Sequence, residues 1–253
     1  MNKRIILVGA GPGDPELISV KGLKAISNAK VVLYDALVHE DILSFIPQTA
    51  ERIFVGKRKG ICQTPQEKIN DLLVEKANEY GEVVRLKGGD PFIFGRGHEE
   101  LAYVKEFGIE TDVIPGISSA YSVPELSHIP LTRRGVSESF WVVTATTKEH
   151  QLSSDIELAA CSTATVVILM GMHKIAEIVK TYQDLGRGDT PVAIIQNGSK
   201  ENEQKGFGTL DSIEEVISDK GLGAPAIIVI GEVVTLYPNY ENELKNSITE
   251  SII

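Results

Sequence analysis

Short apolar runs alternate with helix-like segments along most of this chain. In the first half the runs are RIILVG at 4–9, KVVLYD at 30–35 and EVVRLK at 82–87. This order is typical of consecutive β-α-β units, so it predicts a parallel sheet with helices on its faces and right-handed crossovers. Ligands bind such sheets beyond the carboxyl ends of the strands. The loops at that edge are predicted at 9–15, 35–38, 56–62, 88–97 and 115–120.

The clearest helical pattern lies at 64–81. Thr64 is predicted to cap the helix, Pro65 to be its first residue and Glu67 to complete a capping box, while Gly81 ends it. Further helices are predicted at 19–29, 99–107 and 173–185. One more helix follows Asp211, with Asp211 as its cap and Glu214 as the capping partner.

A change in composition at HIPLTRRGVSES, residues 128–139, indicates a domain boundary near Arg133. We therefore expect an N-terminal α/β domain over 1–133 and a C-terminal α/β domain over 134–240. Two closely spaced late apolar runs predict antiparallel members, and hence a mixed sheet, in the second domain. The polar tail 241–253 is assigned no function.

Charge and cysteine content exclude several classes of protein. The 253 residues carry a formal net charge of −10, which argues against a general nucleic-acid binder. The two cysteines, Cys62 and Cys161, have no metal-ligand spacing, so a reduced cytoplasmic protein without a metal site is expected. The apolar runs are too short for a signal peptide or a membrane span, and no membrane partner is expected.

The glycines of the first loop imitate a dinucleotide-binding turn. That fingerprint is G-x-G-x-x-G at a strand-to-helix turn, with an acidic residue about 20 positions later. Gly9 and Gly11 fit the pattern, and Asp35 ends the next strand as a ribose-binding acid would. These residues leave a nicotinamide-dependent oxidoreductase open as one interpretation.

Other residues of the same loop disagree with a phosphate site. The third glycine, Gly13, comes one position early, and Pro12 and Pro15 remove backbone donors that a pyrophosphate would need. Asp14 adds a negative charge beside the supposed phosphate. The residues alone leave a merely tight turn as the alternative.

A second loop, within 83–97, combines glycine, aspartate and aromatic residues. Gly88 and Gly89 let the backbone approach a ligand closely, and Asp90 offers a carboxylate at the strand end. A phosphate would be repelled there, whereas a ligand with hydroxyl groups or a positive centre would be accepted. A turn with a capping aspartate is the alternative for Asp90 alone.

Seven motifs taken together resemble the tetrapyrrole methylase family. They are VGAGPGDPELIS, VLYDALV, VGKRKG, RLKGGDPFIFGRG, VIPGISSA, IPLTRRG and PAIIVIGEVV, and they lie between residues 4 and 234. The resemblance implies two α/β domains with S-adenosylmethionine bound in the cleft between them. It also implies methylation of uroporphyrinogen III at two ring carbons to precorrin-2, on the route to sirohaem or cobalamin, by a homodimer.

The resemblance also assigns site residues. Asp35 and Lys57 take the catalytic acid-base positions. The positions that contact S-adenosylmethionine are Pro12, Gly88, Gly89, Asp90, Ile93, Ser118, Ser119, Met170, Gly198 and Ala226. A carboxylate suits this chemistry, because it stabilises the positive charge that reaches the pyrrole and accepts the proton released later.

Basic residues inside the matched motifs are predicted to bind the carboxylates of the tetrapyrrole. They are Arg58, Lys59, Arg96, Arg133 and Arg134. The family usually carries histidine where this chain has Arg133, and arginine cannot act as a base near neutral pH. A paralogue that methylates a later precorrin and a binding protein without catalysis are the other hypotheses. The presence of both Asp35 and Lys57 favours an enzyme.

Overall fold

The computed structural model describes residues 3–56 and 64–244. The strands are β1 (Arg4–Gly9), β2 (Val31–Tyr34), β3 (Glu51–Phe54), β4 (Glu82–Lys87), β5 (Glu110–Ile114), β6 (Phe140–Thr144), β7 (Thr165–Leu169), β8 (Pro191–Gln196), β9 (Gln204–Thr209) and β10 (Ala226–Ile230). The α-helices are α1 (Val20–Ser27), α2 (Glu40–Ser44), α3 (Gln66–Tyr80), α4 (Gly97–Lys105), α5 (Ser119–Leu126), α6 (Asp155–Ala160), α7 (Ile175–Asp184) and α8 (Ile213–Lys220).

The first sheet is parallel throughout, as predicted. Its strand order is β3-β2-β4-β1-β5, and every pairing in it is parallel. Alternate residues of each strand face opposite sides, so the sheet has two apolar faces. Helices α3 and α4 cover one face and α1 and α2 cover the other. All the loops at the carboxyl ends of these strands therefore lie along one edge.

The second sheet is mixed, which confirms the other half of the predicted fold class. Its order is β6-β7-β10-β8-β9. Strands β6 and β7 are parallel, whereas β10 runs antiparallel to both β7 and β8, and β9 runs antiparallel to β8. Helices α6, α7 and α8 cover one face, and α5 with the segment after β10 covers the other.

The chain divides into two compact units between Ser118 and Ser119. The sequence placed the boundary later, near Arg133. Helix α5 lies between these two points, and its Ala120 and Val123 are buried in the core of the second sheet.

Two predicted helix caps are wrong. Helix α3 begins at Gln66, one residue later than predicted, so Pro65 takes the cap position and no side chain caps the helix. The Thr64 and Glu67 capping box therefore does not form. Gly81 does end α3, with φ of 80°.

The second incorrect cap is that of α8. The helix begins at Ile213 with Ser212 at the cap position and without a side-chain cap. Asp211 lies before the helix, where its amide donates a hydrogen bond to the Gly188 carbonyl at 2.8 Å. Its carboxylate accepts a hydrogen bond from the Gln183 side chain at 2.8 Å instead of capping the helix. In the described parts of the chain, each helix is too short or too polar to serve as a membrane span.

Candidate functional site

Three loops meet at the carboxyl edge of the first sheet. Backbone hydrogen bonds join Gly11 and Gly89 in both directions, at 3.2 and 2.7 Å. A Cβ on Gly116 would lie 2.6 Å from Gly9 Cα, and one on Gly9 would lie 2.8 Å from Gly89 O. These backbones are so close that only glycine fits at Gly9 and Gly116. The loops after β1, β4 and β5 thereby form one surface.

The first loop does not lead directly into a helix. Asp14 accepts a hydrogen bond from the Glu16 amide at 2.8 Å and caps a short 3-10 turn, Pro15–Leu17. Helix α1 begins only at Val20, where the Ser19 hydroxyl caps it. A dinucleotide site needs the helix N-terminus directly behind the glycines, pointed at the phosphates. The opening loop therefore lacks the geometry of a dinucleotide cradle.

Asp90 fastens the second loop to the third. One of its carboxylate oxygens accepts the amide hydrogens of Phe92 and Ile93, at 2.8 and 3.3 Å. The other accepts that of Gly116, at 3.2 Å. Gly89 stands beside it with φ of 65° and open space at its Cβ position. Asp90 thus does serve as a capping aspartate, and it also ties together two of the site loops.

We expect the Asp90→Ala variant to be less stable by about 1–3 kcal/mol, because the Phe92, Ile93 and Gly116 amides lose a charged acceptor. The measurement is the urea midpoint of the purified protein. Asp219→Ala, on the exposed face of α8, is the control and should change stability by less than about 0.5 kcal/mol. Equal midpoints for the two variants would show that the Asp90 contacts contribute nothing.

Asp35 lies at the same edge, directly after β2. Its Oδ1 accepts a hydrogen bond from the Leu37 amide at 3.0 Å, and its Oδ2 lies 3.4 Å from the Gly88 amide. The Arg85 guanidinium approaches Oδ2 to 3.7 Å. The Asp35 side chain is 23% exposed, so it is held by the protein and is still reachable from solvent.

Behind Asp35 lies a buried charge cluster that the sequence analysis missed. It consists of Arg85, Lys87 and Glu100, which are 3%, 4% and 0% exposed. The Glu100 carboxylate accepts a hydrogen bond from Lys87 at 2.9 Å and pairs with Arg85 at 3.4 Å. Burial, with repulsion from Arg85, lowers the pKa of Lys87, and Glu100 opposes that shift. Arg85 and Lys87 alternate along β4, the central strand of the first sheet. Charged residues at such positions were the sequence signal that could have predicted this cluster.

The second unit brings three predicted positions to one edge of its sheet. Met170 follows β7, Gly198 follows β8 and Ala226 begins the antiparallel β10. Met170 has φ of 56° and is half exposed. Such a backbone is strained for a non-glycine residue, which is typical of functional loops. A Cβ on Gly198 would lie 2.7 Å from Val123 of α5.

The remaining predicted positions are more scattered. Ser118 is buried at the end of the first unit, Ser119 begins α5, and Pro12 is half-buried in the first loop. Arg96 is exposed and pairs with Glu99 at 2.6 Å. Lys57, Arg58 and Lys59 lie outside the described residues.

Arg133 and Arg134 are exposed in the second unit. The Arg133 backbone exchanges hydrogen bonds with Ser137 at 3.0 and 2.9 Å. Within 3–56 and 64–244, no three side chains of His, Cys, Asp or Glu are grouped to hold a metal ion.

Comparison with known proteins gives one consistent family. The sequence model of the Tetrapyrrole (Corrin/Porphyrin) Methylases matches residues 4–214. A uroporphyrinogen-III C-methyltransferase of Methanocaldococcus jannaschii is 49% identical over 238 residues, which cover 93% of this chain and 98% of that protein. A siroheme synthase of Actinobacillus succinogenes is 44% identical over 92% of this chain, which spans 49% of that longer protein.

The fold comparison agrees with the sequence comparison. The crystal structure of the uroporphyrin-III C-methyltransferase from Thermus thermophilus, complexed with S-adenosylhomocysteine, superposes with a TM-score of 0.80. It is 36% identical, and the match covers 92% of this chain and all of that one.

Proposed function

The chain belongs to the tetrapyrrole methylase family, and from this premise we propose that it transfers methyl groups from S-adenosylmethionine to uroporphyrinogen III. Methylation at carbons C2 and C7 gives precorrin-2 by way of precorrin-1, in the synthesis of sirohaem or cobalamin. The observation that carries the proposal is the 49% identity to the Methanocaldococcus jannaschii enzyme over nearly its whole length.

The residues at the carboxyl edge of the first sheet fit the methyl donor. A cradle of glycine backbone at Gly9, Gly89 and Gly116 leaves open space beside Gly89, where a Cβ would meet nothing within 4 Å. We assign donor contacts in this unit to Pro12, Gly88–Asp90, Ile93 and Ser118. The contacts assigned to the second unit are Ser119, Met170, Gly198 and Ala226.

The reaction needs an acid-base group and close positioning of two reactants. Bound S-adenosylmethionine supplies an activated methyl group on sulfur, which an electron-rich pyrrole carbon attacks in line. A carbon–carbon bond forms and the sulfur–methyl bond breaks, so positive charge moves to the pyrrole system. We assign to the Asp35 carboxylate the stabilisation of this charge and the acceptance of the ring proton.

The tetrapyrrole is an anion with several carboxylates, so its recognition needs local positive charge on an acidic protein. Lys57 is proposed as the second acid-base group or as an anchor for a substrate carboxylate. Arg58, Lys59, Arg96, Arg133 and Arg134 are proposed as charge-assisted contacts. Arginine at position 133 can bind a substrate carboxylate, whereas it cannot act as a base near neutral pH.

Binding experiments distinguish this proposal from a nicotinamide-dependent oxidoreductase, the alternative that Gly9, Gly11 and Asp35 left open. We expect isothermal titration to detect S-adenosylhomocysteine binding and no NAD binding, because α1 begins too late to cradle a pyrophosphate. Tight NAD binding without S-adenosylhomocysteine binding would overturn the proposal. Methyl-labelled donor incubated with uroporphyrinogen III should label the tetrapyrrole, and absence of label despite intact donor binding would also count against it.

We further propose that the protein is a cytoplasmic homodimer. The homodimer is carried over from the family, and a reduced compartment suits a chain with two cysteines at unrelated positions. Light scattering of the purified protein should give twice the chain mass of 27.5 kDa. A monomer at micromolar concentration would contradict the assembly.

A further inference from the structure

A buried group of charges touches the candidate catalytic acid without reaching the open surface. Glu100 has no exposed surface, and its Oε1 accepts hydrogen bonds from Lys87 Nζ at 2.9 Å and Gln66 Nε2 at 3.1 Å. The same oxygen lies 3.4 Å from Arg85 Nη2, and Glu100 Oε2 lies 3.4 Å from Arg85 Nε. The Glu100 carboxylate therefore pairs with the edge of the Arg85 guanidinium formed by Nε and Nη2.

The other edge of that guanidinium faces Asp35. Arg85 Nη1 donates a hydrogen bond to the Leu86 carbonyl at 2.9 Å and lies 3.7 Å from Asp35 Oδ2. A guanidinium is planar and rigid, so fixing one edge fixes the direction of the other. The position of Asp35 Oδ2 is thereby linked to Glu100 through Arg85.

The cluster is poorly explained by stability alone. Removing charges from water is costly, and well-packed apolar residues in place of a buried ion pair are often as stable or more stable. The same face of β4 carries Val83 in an ordinary apolar core, packed against α3 and α4. The charges begin only where the strand approaches the site edge, at Arg85 and Lys87.

We propose that Glu100 is a positioning residue for methyl transfer, which holds the Arg85 guanidinium so that Arg85 orients the Asp35 carboxylate. Lys87 balances the cluster, since two cations then face two carboxylates. This inference rests on the proposed function and on the role of Asp35 within it. Glu100 and Lys87 touch no reacting atom, so neither is a catalytic residue.

The test is Glu100→Gln, which keeps the shape of the side chain and removes its charge. We expect kcat to fall about tenfold or more, while the Kd of S-adenosylhomocysteine and the KM of both substrates stay within about twofold. Glu106→Gln, an exposed change at the end of the same helix, is the matched control. A kcat for Glu100→Gln equal to that of the control would overturn the inference.

A charge-balanced variant separates positioning from folding. Lys87→Met combined with Glu100→Gln removes one charge of each sign. The thermal unfolding midpoint of this double variant should therefore be closer to wild type than that of Glu100→Gln, while its kcat stays low. It also replaces the single variant if that one fails to fold. Recovery of kcat together with the midpoint would show a purely structural cluster and overturn the inference.

Failure of the proposed function and failure of this inference give different experimental results. A wild-type protein that transfers no label to uroporphyrinogen III overturns the proposed function and, with it, this inference. An active wild type with an equally active Glu100→Gln variant overturns the inference alone.

Discussion

The Asp35→Asn variant is expected to lose about 10²–10⁴-fold in kcat, the range typical of a missing general acid-base group. Asparagine keeps an oxygen for the Leu37 amide, so the turn after β2 should persist. It cannot accept the ring proton and does not carry the negative charge that faces the developing positive charge. The measurement is the initial rate of methyl transfer under saturating donor and uroporphyrinogen III.

Donor binding is the second readout for Asp35. The Kd of S-adenosylhomocysteine should change by no more than about twofold, since Asp35 is not itself an assigned donor contact and asparagine keeps the side-chain shape beside Gly88. Asp219→Asn, on exposed α8, serves as the control for removal of a carboxylate. An unchanged kcat would remove Asp35 from the mechanism, and a parallel loss of donor binding would reassign it to the donor site.

The Gly116→Ala variant is expected to bind S-adenosylhomocysteine at least about 100-fold more weakly, equivalent to about 2.7 kcal/mol. Its new methyl group would overlap the Gly89 carbonyl and lie 2.6 Å from Gly9 Cα. Backbone atoms cannot turn away as a flexible side chain can, so the three loops must separate. Overpacking of this kind costs about 1–3 kcal/mol of stability as well.

Titration calorimetry and thermal unfolding together check this result. Gly223→Ala is the matched control, because a Cβ there meets no atom within 4 Å and its φ is not positive. Near wild-type donor affinity in a folded Gly116→Ala protein would show that the contact among the three loops does not form the donor site.

Local sequence patterns predict some features of helix α3 and miss others. Its length and its end at Gly81 follow from apolar periodicity and from a residue that tolerates a positive φ. Its first residue does not, because Gln66 is engaged by Asn70 and Glu100, and Glu100 lies 34 positions away. Contacts between residues distant in the chain decide such details, and periodicity carries no information about them.

The candidate site, like helix α3, was predicted in part: its location follows from local sequence patterns, and its internal contacts do not. The order of strands and helices predicted that the loops holding Asp35, Asp90 and Gly116 share one edge, because carboxyl ends of parallel strands coincide. The mutual contact of Gly9, Gly89 and Gly116 depends on backbone positions in three loops, which no local pattern encodes. Glu100 gave no signal on its own helix, since its side-chain partners lie on β4 and α3.

Mass spectrometry of the tetrapyrrole product distinguishes double methylation of uroporphyrinogen III from the alternative activities. The protein would be incubated without oxygen with uroporphyrinogen III and S-adenosylmethionine, and the product sampled over time. We predict a transient species with one added methyl group, followed by a product with two, and two molecules of S-adenosylhomocysteine formed per tetrapyrrole. An unchanged tetrapyrrole mass in the presence of bound donor, or methylation only of a precorrin that is already methylated, would contradict the account.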